Sequence, residues 1–363
     1  MSARSADRRN EVVVMGRHPR VAWWEPRDTL GSEVAEASRE LFEAAGMAVQ
    51  WVRTVPGEAA EDQVEAGLLA PLGAVDDDTH HQERQVRAAW GGVLTVIERT
   101  GTAIRSGLPV SVLLLRMESG LSNSGIELWP DSEGQRVLLE ATAAQEGRTL
   151  SEYAAVAVHA IDPDHIRVLC REAFEVCCER SVQRITVTHK GNSIKYTDGL
   201  FAVVAKQELE KLIGDSGIIQ ESLIIDHMAA ELTRNPQDYR AILTHGAFAE
   251  LLAALLDGQL DTDAGGVCRT IGTARRPLFG YDVALDPARH TRAPEAEAAG
   301  RLRSVLLAGS LLADHLDQGV AAAGIRAAAD ALDAPATADG HAGTAGLAAC
   351  ARTAHHAVRT AVR

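Results

Sequence analysis

The residues best suited to chemistry lie in the run at positions 188–199, which contains Lys190 and Asn192, and at Asp226, thirty-six positions after Lys190. Lys190 closely follows a short β-type run at 185–188, and Asp226 lies in the next amphipathic segment. A lysine that can move a proton and a carboxylate that can hold a divalent cation suit metal-assisted chemistry on a hydroxy acid. The pattern therefore predicts an enzymatic ancestry.

The composition is that of an ordinary globular protein. The chain has 363 residues, of which 46% are hydrophobic and 24% charged, enough for a sizeable core in one large domain or two joined ones. A net charge of −14 argues against a nucleic-acid surface. No stretch is long and apolar enough for a membrane span or a signal peptide, so we expect a cytoplasmic location. The five cysteines have no CxxC spacing and indicate neither a disulfide framework nor a zinc site.

Hydrophobic periodicity predicts an α/β fold in which strands and helices alternate throughout the chain. The run at 110–115 is wholly apolar, which is typical of a strand covered on both faces. The segment 57–78 is acidic and predicted to be a loop, and 218–233 is predicted to be a strand turning into a helix that stops at Asn235-Pro236. The other predicted strands are 12–14, 21–24, 49–54 and 185–188, and the other helices are 32–45, 82–90, 166–179, 199–212, 250–256, 294–316, 320–332 and one from about 347.

A specific motif then indicates a family. Residues 189–201 resemble the HKGN-x-x-K-[YF]-T-[ED]-G-x-F stretch of bacterial NADP-type isocitrate dehydrogenases, in the β-decarboxylating dehydrogenase family that also includes isopropylmalate dehydrogenases. Asp226 with 235–239 resembles the A-D-(x9)-P-x-x-Y pattern that follows it in the family. Weaker resemblances to the family's other motifs occur at 27–34, 104–106, 115–118, 124–127 and 271–274.

The resemblance implies a large doubly wound α/β domain with a second, smaller α/β domain. In this chain, the large domain would comprise 1–109 and 259–363, and the small domain 110–258 with a dimerisation insertion near 121–163. The family forms homodimers with shared active sites, so the lysine and the first metal carboxylate would come from the partner subunit. Mg²⁺ or Mn²⁺ and NAD or NADP are the implied cofactors, and a small carboxylate is the implied substrate.

The resemblance also assigns roles to individual residues. Lys190 would be the catalytic ammonium, whereas the plain alternative is a surface lysine at a strand end. Asp226 would be a metal ligand rather than a solvated helix acid. Glu250, twenty-four positions later, stands where the second metal carboxylate is expected, but a simple helix N-terminal acid is the alternative. His245 could be an accidental neighbour or a substitute ligand. The candidate substrate-binding residues are Ser106, Arg116 and Asn192.

Other positions depart from the family pattern. Asn123 stands at the catalytic position of the proton-donating tyrosine, and an amide cannot deliver a proton at neutral pH. Only nine residues separate Ser106 from Arg116, where the family inserts a helix and loop with two further arginines, so a three-arginine clamp for a tricarboxylate is not expected. The candidate cofactor loop lacks the histidine that the family has there. Its two arginines could bind the 2′-phosphate of NADP or be solvated. This loop consists of Gly272, Thr273, Ala274, Arg275 and Arg276.

Two hypotheses remain open from the sequence. The first is a divergent metal-dependent oxidoreductase or decarboxylase acting on a small hydroxy acid other than isocitrate. The second is a catalytically altered relative that has lost NAD(P)-dependent dehydrogenase activity and serves as a regulatory or binding protein or as a non-redox enzyme. Fold kinship alone does not choose between them, because function depends on the site.

Overall fold

The computed structural model describes residues 18–24, 29–55, 58, 63–70, 77–118, 126–261, 267–272, 275–281, 294–332 and 344–362. The strands are β1 Arg20–Trp24, β2 Gln50–Thr54, β3 Ala66–Leu69, β4 Leu94–Ala103, β5 Pro109–Met117, β6 Glu127–Leu128, β7 Val156–Ala157, β8 Arg184–His189, β9 Ile219–Ile224, β10 Ala241–His245, β11 Leu260–Asp261, β12 Val267–Ile271 and β13 Pro277–Tyr281. The helices are α1 Thr29–Ala44, α2 Asp77–Ala89, α3 Glu133–Glu146, α4 Pro163–Glu179, α5 Asp198–Ile213, α6 Ile225–Arg234, α7 Gly246–Asp257, α8 Pro294–His315, α9 Gly319–Ala331 and α10 Thr344–Ala361.

One large sheet runs through the described part of the chain, in the order β2-β1-β3-β13-β12-β4-β5-β10-β8-β9, with β11 beside β4. The outer groups are parallel: β2, β1, β3 and β13 on one side, and β5, β10, β8 and β9 on the other. Antiparallel pairing of β13 with β12, β12 with β4 and β4 with β5 joins the two groups. The two parallel groups therefore point in opposite directions.

Helices cover both faces of the sheet, which confirms the predicted α/β class. One core lies under α1, α8, α9 and α10, against β1 and β3. In the other half, α4 and α5 pack on one face of β5, β8 and β10, while α6 and α7 pack on the opposite face. β5 is buried from both sides over most of its length, as its apolar run predicts.

Most predicted elements are confirmed, but two expectations are wrong. The strict alternation of strand and helix fails at β4–β5 and at β12–β13, where consecutive strands pair directly in antiparallel fashion. The predicted loop at 57–78 contains β3 and the start of α2. β3 is a run of four residues, all buried, which is too short to show a period. The predicted strand at 12–14 lies outside the described residues.

The predicted domain boundary at 109/110 falls inside a continuous pair of strands. β4 pairs with β5 from Leu94 opposite Met117 to Thr102 opposite Pro109. The hydrogen bonds of the sheet therefore cross this boundary, and the division into domains stays a prediction. Among the described helices, none is long and apolar enough to cross a lipid bilayer.

Candidate functional site

The predicted site residues lie mainly where four parallel strands end. β5, β10, β8 and β9 are consecutive neighbours, so their carboxyl ends meet at one edge of the sheet. Arg116 lies near the end of β5, and Lys190 follows β8. Asp226 follows β9 in the first turn of α6, and Glu250 follows β10 in α7. In open α/β sheets, this edge is where ligands bind.

Lys190 and Asp226 contact each other directly through Nζ and Oδ2. The contact joins the turn after β8 to the start of α6, and it lowers the pKa of the Asp226 carboxyl mainly through the hydrogen bond from Lys190. The Asp226 side chain is 59% exposed and that of Lys190 is 27% exposed. The pair therefore faces outward from its own chain.

A tight turn holds Lys190 in place. The buried carboxylate of Asp198 accepts a hydrogen bond from the backbone N–H of Lys190, with 2.8 Å between N and Oδ1. The Lys190 carbonyl oxygen accepts from the N–H groups of Ser193 and Ile194. A Cβ on Gly191 would lie 3.0 Å from the Cα atom of Gly199, so a larger residue would push the two sides of the turn apart. The glycine and the aspartate of the motif thus have structural reasons to be there.

Arg116 and Glu250 form a second pair. The Arg116 guanidinium is buried and donates from Nε to Glu118 Oε1 at 2.5 Å. Its Nη1 atom lies 3.4 Å from Glu250 Oε1. Each carboxylate predicted to bind metal is therefore ion-paired: Asp226 with Lys190 and Glu250 with Arg116. The arginine predicted to bind substrate is held by acids of its own chain.

Within one chain, Ser106 does not lie near the other predicted site residues. It lies in the turn that joins β4 to β5, whereas Arg116 is near the other end of β5, roughly 25 Å away at about 3.3 Å per strand residue. The turn is closed by a hydrogen bond from the Ala103 N–H to the Leu108 carbonyl. The short connection expected from the sequence is thus a simple hairpin, and it separates two residues predicted to share a substrate.

The remaining predicted residues divide into three cases. Asn192 is exposed in the turn that carries Lys190. In the cofactor loop, Gly272 lies against Trp90, where a Cβ would approach the indole within 2.6 Å, and the Arg276 guanidinium stacks 4.9 Å above the same ring. Arg275 is ion-paired with acids of α4, namely Glu172, Glu175 and Glu179. Asn123, Thr273 and Ala274 lie outside the described residues.

A cluster of two histidines and an aspartate lies behind the Lys190 turn. His245 Nε2 is 3.0 Å from Asp198 Oδ1, and His159 Nε2 is 3.7 Å from Asp198 Oδ2. Burial raises the pKa of Asp198, but the hydrogen bonds from His245 and from the Lys190 N–H outweigh it and lower the pKa overall. Sequence reasoning considered only His245, because the three residues come from distant segments with no common motif.

Comparison with known protein families and sequences shows which proteins this chain resembles. A family model described as isocitrate/isopropylmalate dehydrogenase matches residues 133–259, the part that contains Lys190, Asp226 and Glu250. The isocitrate dehydrogenase [NADP] of Haloferax volcanii is 24% identical, with 80% of this chain and 78% of that protein covered. The 3-isopropylmalate dehydrogenase of Methanothermobacter thermautotrophicus is also 24% identical, with 81% and 84% covered.

A solved structure supports the same fold. The isocitrate dehydrogenase of Methylococcus capsulatus superposes with a TM-score of 0.65 at 17% identity, covering 94% of this chain and 99% of that one. The sequence resemblance and the fold agree, while the identities are low and several motif positions differ. The chain therefore resembles the isocitrate/isopropylmalate dehydrogenase family, with low identity to the members it matches.

Proposed function

We propose that the protein is a divergent metal-dependent oxidoreductase or decarboxylase that acts on a small hydroxy acid other than isocitrate. The contact between Lys190 and Asp226 at the carboxyl edge of the sheet carries the proposal. A carboxylate at this position suits a hard divalent cation, and an adjacent amine can exchange a proton with the substrate hydroxyl. Mg²⁺ or Mn²⁺, when bound, would polarise the substrate oxygens.

A homodimer with shared active sites would bring the residues of the proposed site together across the subunit interface. The segment 126–158, which contains β6, α3 and β7, exposes large apolar side chains, with Trp129 at 76% and Tyr153 at 74%. An apolar surface of this kind favours association with a second copy of the chain. In such a dimer, Lys190 and Asp226 of one subunit would face Arg116 and Glu250 of its partner.

The predicted cytoplasmic location stays a prediction.

We expect the Trp129→Asp variant to weaken this dimer at least about 30-fold, because a large aromatic side chain at an interface centre contributes roughly 2 kcal/mol or more. Sedimentation velocity over a concentration series measures the change. Val320, which is 67% exposed on α9, provides the matched control Val320→Asp. Equal behaviour of the two variants would contradict a dimer formed through 126–158.

The neighbours of two arginines support a small substrate and favour NAD over NADP. Arg116 is held by Glu118 and Glu250, so it offers at most part of its guanidinium to one carboxylate. Because the β4–β5 hairpin replaces the arginine-bearing insertion expected from the family, a tricarboxylate would lack its clamp. Arg275 is engaged with α4, which makes it less available to a 2′-phosphate.

A specific observation also favours the second hypothesis, that of a relative that has lost NAD(P)-dependent dehydrogenase activity. The buried Arg116 is already neutralised by two carboxylates, and Asn123 replaces the tyrosine expected to deliver a proton. A relative that binds ligand without dehydrogenase activity would show this combination. The two hypotheses differ in whether the metal and the dinucleotide both bind.

Thermal unfolding with Mn²⁺, NAD(H) and NADP(H) tests the proposal. A ligand at a hundred times its Kd stabilises the folded protein by about 2.7 kcal/mol, which raises the melting temperature measurably. We expect Mn²⁺ to raise it in the wild type and in Asp330→Asn, which changes an exposed acid of α9, but much less in Asp226→Asn. If none of these ligands raises the melting temperature, the oxidoreductase proposal is wrong.

A further inference from the structure

We propose that His159, Asp198 and His245 form a second metal site, which binds a borderline divalent transition metal such as Zn²⁺. This site goes beyond the proposed oxidoreductase function and does not require it. Its ligands differ from those of the proposed Mg²⁺ or Mn²⁺ site, where both candidate ligands are carboxylates. Imidazole nitrogen suits Zn²⁺ and its neighbours in the first transition series, whereas Mg²⁺ prefers oxygen.

The geometry of the three side chains matches a shared ion. One ligand atom from each residue lies within 4.8 Å of the other two. Bonds of about 2.0–2.2 Å from Zn²⁺ to imidazole and carboxylate place neighbouring ligand atoms roughly 3–3.5 Å apart. The two histidines approach different oxygens of Asp198, with 3.0 Å from His245 Nε2 to Oδ1 and 3.7 Å from His159 Nε2 to Oδ2, so side-chain rotations would bring both to one ion.

The carboxylate of Asp198 supplies an independent indication. The residue is fully buried, and its Oδ1 atom accepts from both the Lys190 N–H and His245. Its Oδ2 atom is also buried, has no hydrogen-bond partner among the described residues, and lies on the side of His159. An unsatisfied buried carboxylate oxygen is costly, and coordination of a cation would satisfy it.

The surroundings allow an ion to enter and to keep an open coordination position. Asp198 and His245 are buried, and the His245 ring packs between the aromatic rings of Phe201 and Phe248. The His159 side chain is 35% exposed and forms the solvent side of the cluster. Three protein ligands with one position left for water is the arrangement of zinc sites that take part in reactions.

The cluster is also joined to the Lys190 turn. Asp198 holds the backbone N–H of Lys190 and begins α5, while His245 ends β10 just before α7. An ion bound here would therefore fix the ends of β8 and β10 relative to each other. The absence of CxxC spacing argued against a zinc site in the sequence, but ligands at 159, 198 and 245 need no cysteine.

Visible absorption of Co²⁺ provides a test on the full-length protein after treatment with a chelator. Co²⁺ gives intense visible bands in a four-coordinate nitrogen and oxygen site, and Zn²⁺ should then displace it. We expect one equivalent of Co²⁺ to give these four-coordinate bands in the wild type and in His165→Asn, which changes an exposed histidine of α4. In His159→Asn, we expect the affinity to fall at least about 100-fold, since one of three protein ligands is lost.

Asp226→Asn separates this site from the proposed Mg²⁺ or Mn²⁺ site, and we expect it to leave Co²⁺ binding unchanged. His159 is partly exposed and can be changed without disturbing the core. Equal melting temperatures of the metal-free wild type and His159→Asn would show that the variant folds. The proposal is overturned if the wild type binds no Co²⁺, if His159→Asn binds it as tightly as the wild type, or if binding is lost in Asp226→Asn.

Discussion

In the Lys190→Met variant, we expect turnover of the hydroxy-acid substrate to fall by about 10²- to 10⁴-fold, the usual contribution of a positioned proton-transfer group. Methionine keeps the length and apolar stem of lysine but can neither exchange a proton nor pair with Asp226. A screen of small hydroxy acids with Mn²⁺ and NAD or NADP identifies the substrate, and steady-state kinetics then compare the variants.

Lys206→Met is the matched control for this experiment. Lys206 lies on α5, its side chain is 63% exposed, and its ion pair with Glu210 joins adjacent turns of the same helix. We expect its kcat to stay within about twofold of the wild type, because exposed ion pairs of this kind contribute little. If both lysine variants retain wild-type kcat, Lys190 has no proton-transfer role in this reaction.

The Asp257→Ala variant is expected to lose about 3–5 kcal/mol of unfolding free energy, because it removes one partner of a buried ion pair. Arg99 on β4 is fully buried. Its Nε atom lies 2.6 Å from Asp257 Oδ1, and its Nη2 atom donates to Oδ2 at 3.2 Å. This pair links the central antiparallel strands to the end of α7. Urea denaturation followed by far-UV circular dichroism measures the loss.

Asp164→Ala is the corresponding control at an exposed ion pair. The Asp164 side chain is 84% exposed and pairs with Arg167 one turn along α4. Loss of such a pair should change stability by less than about 1 kcal/mol. A double variant, Arg99→Met with Asp257→Leu, should recover most of the stability lost in Asp257→Ala, since the charges of both partners are removed. Equal stability of the two alanine variants would show that the Arg99 pair contributes nothing.

Elements with a clear period or a uniform apolar run could be read from the sequence. The apolar run at 110–115 predicts β5, and the helical pattern at 166–179 predicts α4, because burial of one face or both imposes these patterns locally. β3 has too few residues to show a pattern. The antiparallel pairing of β4 with β5 was also missed, since strand direction depends on how the turn at 104–108 closes.

The candidate site, too, could be predicted from the sequence only in part. The motif at 189–201 and its distance from Asp226 indicate the family resemblance and the Lys190–Asp226 pair, because only α5 and β9 lie between these two residues. The sequence could not show that Arg116 is occupied by Glu118 and Glu250, or that Ser106 lies at the far end of β5. Both facts depend on the direction and register of neighbouring strands.

The sequence by itself determined the family resemblance and the α/β class, because motifs and hydrophobic patterns are local features of the chain. Only the tertiary structure decided which side chains share a site. His159, Asp198 and His245 come together because the segment after β7, the start of α5 and the end of β10 pack against one another. Contacts across separate elements follow from packing and leave no periodic or spaced pattern along the chain.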